Sequence, residues 1–173
     1  MKNLILINGT MGVGKSTVGR ELLKLLPGCV YLDGDWCWNM NPFVVNEETK
    51  KMVIGNIQFL LNRFLQCSVY QNVVFCWVMD EARIIREVLA GLSGDDYRLS
   101  CFTLVCSEQK LKERLERDVK ENLRAPDVIE RSLARLCRYD RMNTVKIDVG
   151  QMSGREAAEE IKIRIERQMS ESE

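Results

Sequence analysis

A short apolar run that empties into a glycine-spaced loop constrains this chain more than any other feature in it. Lys2-Asn3-Leu4-Ile5-Leu6-Ile7-Asn8 reads as a buried strand, and Gly9-Thr10-Met11-Gly12-Val13-Gly14-Lys15-Ser16-Thr17 follows without a break. The loop fits G-x-x-x-x-G-K-[ST] at Gly9, Gly14, Lys15 and Ser16. An amphipathic helix comes next, with Val18, Leu22, Leu23, Leu25 and Leu26 as its apolar positions and Pro27-Gly28 as its stop. Such a loop wraps an anion with successive backbone N–H groups, an approach that side chains would block. The following helix aims its positive end at the same place. The expectation is a nucleotide site spanning Gly9, Thr10, Met11, Gly12, Val13, Gly14, Lys15, Ser16 and Thr17. There Lys15 would bridge the β- and γ-phosphates of ATP, and the Ser16 hydroxyl would ligate Mg²⁺.

At 173 residues the chain is expected to form one domain, 1–173, with a full hydrophobic core. Its 25 basic and 25 acidic side chains balance, which argues against a nucleic-acid or membrane-surface binder. It contains no histidine, which excludes histidine-based triads, bases and metal ligands. None of the seven cysteines forms a C-x-x-C pair, and Cys29, Cys76, Cys101 and Cys106 lie in apolar runs. They read as small hydrophobes of a reducing compartment. The apolar opening is too short for a secretory leader and no stretch approaches a membrane span. Together these features point to a cytoplasmic location.

Strand-like runs recur at 3–8, 29–33, 72–79, 99–106 and 144–149, with helical patterns between them. The alternation predicts a P-loop α/β fold of three layers, a five-stranded parallel sheet with helices on both faces. The second strand ends in Asp33-Gly34-Asp35. Ligands of such sheets sit at the carboxyl ends of the strands, which puts this carboxylate pair opposite the γ-phosphate. One carboxylate there can hold hydrated Mg²⁺, and the other can take a hydroxyl proton from the group that receives the phosphate.

The phosphate loop and Leu32-Asp33-Gly34-Asp35 resemble the small-molecule kinases of the P-loop class: the gluconate, shikimate and adenylyl-sulfate kinases and, more distantly, chloramphenicol phosphotransferase. By that resemblance Asp33 falls near Mg²⁺ and Asp35 on the acceptor hydroxyl. The spacing of Arg117 and Arg124 is similar to the start and tip of a shikimate-kinase lid, here about 117–130. The resemblance implies that Arg117 stacks on adenine and Arg124 reaches the phosphates, tasks that suit a planar guanidinium. It also implies that the arginine of Arg135-x-x-x-Tyr139 faces an anionic acceptor, where a solvated helix face is the other reading, and it associates Arg83 and Arg86 weakly with the acceptor side.

Other features admit two readings each. Trp36, Trp38 and Phe43 follow the carboxylates and either line an acceptor pocket or pack a short helix. No arginine lies between Arg20 and Arg63, a departure from shikimate and nucleoside-monophosphate kinases. Asp80, after the third strand, is expected to cap the helix 81–90 rather than to touch the metal. Asn46 and Ser107 are expected to open helices, and Gly55 to mark a close helix contact. Val145 stands where guanine-specific proteins carry Asn or Thr, so guanine specificity is not expected. The loop from Asp148 to Met152 is expected on the adenine side, and Ser153 to cap the last helix. The sum is an ATP-dependent phosphotransferase acting on a hydroxyl of a small molecule, with no nucleic-acid or membrane partner, as a monomer or homodimer. A nucleoside or nucleotide kinase stands beside it, as does a nucleotide-binding NTPase or switch module that has no acceptor.

Overall fold

A computed structural model describes residues 1–94 and 96–170. The sequence from Met169 to Glu173 is expected to be a polar tail, and its last three residues lie outside the described residues. Strands β1 (Lys2–Asn8), β2 (Cys29–Asp33), β3 (Asn72–Cys76), β4 (Tyr97–Val105) and β5 (Val145–Asp148) form one parallel sheet in the order β2-β3-β1-β4-β5. The connecting helices are α1 (Lys15–Leu25), α2 (Glu47–Gln66), α3 (Ala82–Ala90), α4 (Glu108–Lys120), α5 (Val128–Leu133), α6 (Leu136–Asp140) and α7 (Gly154–Ser170). A 3₁₀ helix over Gly34–Trp38 leads from β2 toward α2.

The continuous apolar runs exist because the inner strands are covered on both sides. Alternation along β1 sends Ile5 and Ile7 into one core with Val18, Leu22, Ala158 and Ile161. It sends Leu4 and Leu6 into a second core with Val53, Ile57, Leu61 and Val88. A third, smaller cluster of Leu111, Leu115 and Val128 joins α4 to α5. Helix starts are fixed by their caps. Asn46 Oδ1 accepts from Thr49 N at 2.8 Å, and Thr49 Oγ1 accepts in return from Asn46 N at 3.0 Å. Ser107 Oγ accepts from Lys110 N at 3.2 Å, and Ser153 Oγ from Glu156 N at the same distance.

Three expectations need correction. The third strand ends at Cys76, not residue 79. Its neighbour β2 is already ending there, and the chain leaves the sheet through Met79 at φ 34°. Side chains then take the freed carbonyls: Tyr139 Oη donates to Val78 O at 3.0 Å, and Asn8 Nδ2 to Met79 O at the same distance. Asp80 does not cap α3, because it is committed to Arg135 at the start of α6 and Arg138 within it; Glu81 holds the cap position without a side-chain bond. Gly55 makes no close contact, since a Cβ there would meet nothing within 4 Å.

That last observation has a measurable consequence. Gly55 sits inside α2 and carries the entropic penalty of glycine with no packing reason for it. Gly55→Ala should raise unfolding free energy by about 0.5–1 kcal/mol, read as a higher denaturant midpoint at unchanged slope. A lower midpoint would show that the α2 face needs the bare backbone.

Candidate active site

The glycine loop closes between the carboxyl end of β1 and the first turn of α1. Gly9 lies at φ 147°, where an added Cβ would meet Leu104 O at 2.8 Å and Val13 Cγ1 at 2.9 Å. Gly12 rests on α4, its Cβ position 2.4 Å from Leu115 Cδ2. Gly14 has left-handed backbone and open space around it, as a surface that must admit a ligand requires. Thr10 Oγ1 donates to Ser132 O at 3.0 Å, which ties the loop to α5.

Lys15 Nζ donates to Gly9 O at 2.8 Å and Thr10 O at 2.9 Å, so its ammonium bridges the rim of the loop. Its stem is desolvated although the side chain stays partly open to the cleft. That desolvation lowers its pKa to about 8, partly offset by Asp35 and Asp33 and reinforced by Arg124. Ser16 Oγ donates to Asp33 Oδ2 at 2.7 Å. The same Asp33 oxygen accepts from Tyr31 Oη at 2.8 Å, and Oδ1 accepts from Asp35 N at 3.1 Å. Asp33 is thus buried and clamped from three directions. Asp35 lies two residues on, exposed at the cleft mouth. Loss of water on its protein side, then the nearby Asp33 charge, pushes its carboxyl above the usual range; Lys15, Arg124 and Trp77 pull the other way.

The cleft is about 360 Å³ and is lined by Gly12 to Thr17, Asp35, Arg117, Arg124, Val149, Met152 and Gly154, among others. The structure therefore gathers Lys15, Ser16, Asp33, Asp35 and Arg124 around one point. Arg124 is held by Asp118 at 2.9 Å, and Arg117 is exposed on the cleft wall. Of the aromatic segment, Trp38 packs partly buried against the second core, and Trp36 lies 55% exposed, edge-on to Tyr31 at 5.4 Å. Phe43 is 67% exposed with its ring 6.0 Å from Trp38. The segment is thus split between core and surface.

A magnesium–nucleotide fits these residues. Mg²⁺ bound through phosphates needs only one or two protein oxygens, and Ser16 and Asp33 meet at the foot of the loop. Among the described residues no group of three or more Cys, Asp or Glu forms a metal cage of its own.

Sequence reasoning missed three contributors. Arg114 donates through Nη1 to Val13 O at 3.0 Å and through Nη2 to Val149 O at 2.7 Å, locking the phosphate loop to the segment after β5. It sits one helical turn before Arg117, and that spacing was the available signal. Tyr31, which orients Asp33, lies two residues upstream on the same face of β2, as strand alternation allows one to foresee. Trp77 packs its ring over Gly34, where a Cβ would come within 2.4 Å of its Cγ; nothing in the sequence signals that contact.

With fold and site in hand, the class is that of a P-loop domain. Residues 5–135 match the model of the family described as "AAA domain" (AAA_18), and the chain belongs to that family. Solved structures share the fold. A shikimate kinase from Acinetobacter baumannii aligns at TM-score 0.66 and 22% identity, over 97% of this chain and 95% of its own. The tunicamycin resistance protein of Deinococcus radiodurans aligns at TM-score 0.66 and 19% identity, over 95% and 96%. A gluconokinase from Sinorhizobium meliloti aligns at TM-score 0.64 and 19% identity, over 91% and 88%. The chain therefore has the fold of P-loop small-molecule kinases. A comparison with curated protein sequences found no significant match. Among the described residues no helix is long and apolar enough to cross a membrane.

Two measurements follow from the geometry. Above pH 8 the free Lys15 is largely neutral, whereas a triphosphate favours its charged form, so binding must draw a proton from solvent. Calorimetry near pH 9 in buffers of different ionisation enthalpy should show net proton uptake as ATP binds; no uptake would remove Lys15 from the phosphate contact. Arg114→Ala should weaken ATP binding about tenfold or more, the value of one charge-assisted bond. Unchanged affinity would make the Val13–Arg114–Val149 bridge dispensable.

Proposed function

We propose that this protein is an ATP-dependent kinase that phosphorylates a hydroxyl of a small-molecule acceptor. The observation that carries the reading is the meeting of a phosphate-loop lysine, a serine–aspartate pair and a second, solvent-facing carboxylate in one cleft. In this reading the two acids have different work. Asp33, fixed by Tyr31 and Ser16, stays in place to hold Mg²⁺ through its oxygens. Asp35 faces the cleft mouth, and the burial and neighbouring Asp33 charge that push its carboxyl up make it a better proton acceptor than an ordinary aspartate. Bound ATP–Mg²⁺ would supply the phosphoryl group with its oxygens partly neutralised.

This chain's residues do the rest. Asp35 orients the acceptor hydroxyl and takes its proton as the oxygen bonds to the γ-phosphorus and ADP departs. Lys15 leaves its loop carbonyls for the β- and γ-phosphate oxygens. Arg124, already within electrostatic reach of Lys15 and Asp35, adds positive charge where negative charge spreads. Arg117 lines the same cleft as Met152 and Gly154, which supports a role in covering the base. Closing the segment 121–127 over the site would exclude water, which competes with the acceptor.

Separate variants test separate parts. Asp35→Asn should keep ATP affinity near normal and lower transfer by about 10²–10⁴-fold, the usual contribution of a positioned base. Loss of ATP–Mg²⁺ binding instead would reverse the roles of Asp33 and Asp35. Lys15→Ala should cut turnover by at least about 10²-fold, measured as labelled γ-phosphate transfer to a panel of hydroxylated acceptors. Hydrolysis unmoved by any acceptor would overturn the kinase reading.

A further inference from the structure

Arg135 and Arg83, two of the arginines that the resemblance associates with the acceptor, are already engaged, and so is Arg138 one turn beyond Arg135. Arg138 Nη1 donates to Asp80 Oδ2 at 2.9 Å and lies 3.4 Å from Glu81 Oε1. Arg135 Nε lies 3.8 Å from the same Asp80 oxygen, and Arg83 pairs with Glu81. Asp80 is only 8% exposed and sits just past Met79, whose carbonyl is held by Asn8. A buried carboxylate at an anchored position cannot follow its partners outward. Turning Arg135 and Arg138 to a ligand would strand its charge, which is the expensive way to break a buried pair.

The field on the Asp35 side points the same way. The cations that Asp35 feels are Lys15 and Arg124, and both line the phosphate cleft. Asp33, of its own sign, acts on it as well. A carboxylate or phosphate carried on the acceptor would approach the Asp35 carboxylate. Meanwhile the segment that leaves Asp35 presents Trp36, Phe43, Val44 and Val45, each at least 40% exposed.

Resting on the kinase reading, we propose that the acceptor is an uncharged alcohol with an aromatic or apolar body, and that Asp80 sets this preference by occupying Arg135 and Arg138. Asp80 is a specificity-determining residue that acts through the arginines.

The test uses the full chain with ATP–Mg²⁺ and acceptors matched in skeleton but not in charge: 4-(hydroxymethyl)benzamide against 4-(hydroxymethyl)benzoate, gluconamide against gluconate, a nucleoside against its monophosphate. For the pair that is phosphorylated, kcat/KM should favour the uncharged member by at least about tenfold, since like-charge contacts are strongly penalised. Asp80→Asn, its fold checked by thermal unfolding, should narrow that ratio by releasing the arginines. Arg138→Gln, an independent variant, should leave transfer to the uncharged acceptor within about threefold of the parent, as no direct contact is lost. Preference for the anionic member, or a collapse of transfer in Arg138→Gln with the fold intact, would overturn the inference while the kinase reading stands. Transfer to no member of any pair, with ATP still bound, would bring down both.

Discussion

The site depends on one constraint: β1 is hydrogen-bonded on both edges and covered on both faces. It pairs with β3 from Asn3 to Ile7 and with β4 from Lys2 to Asn8, so its end cannot drift. The glycine loop therefore starts from a strand end held on both edges. Asp33 and Asp35 reach the loop from one side through β2, and the arginines of α4 reach it from the other. A flexible anion site would lose much of its binding energy to ordering; here the ordering is done by the core before any ligand arrives.

The electrostatics follow from the same arrangement. Desolvation at the strand ends makes Lys15 easier to deprotonate and Asp35 easier to protonate. Both shifts oppose the charges that the chemistry needs, and the two groups partly relieve each other. A triphosphate with its metal changes that balance. The site is poised for a charged ligand rather than neutralised in its absence, in contrast with the cluster around Asp80, where arginine and carboxylate satisfy each other within the protein.

Much of this was legible in the sequence because periodicity and spacing are local. The strand, loop and helix at the start, the five strands and the caps at Asn46, Ser107 and Ser153 need only neighbours in the chain to be recognised. What was not legible depends on residues far apart. Asp80 reads as a helix cap until α5 and α6 are folded beside it, and their position is set by Thr10 and Tyr139 reaching across the molecule. Arg114 reads as one more charge on a salt-laced helix until Val13 and Val149 are brought to either side of it. The end of β3 could not be read because Trp77, Val78 and Met79 stay apolar after the sheet has ended. The resemblance to known kinases supplied roles for Arg117 and Arg124 but not the pairing that engages Arg138.

The bare backbone at Gly12 has a further meaning. Leu115 occupies the space where its side chain would be, so the loop lies directly on α4. The same helix carries Arg114 and Arg117 and leads into the segment that bears Arg124. Seat and cover are thus two ends of one lever. Any displacement of α4 would therefore be felt by the cradle and by the arginines together.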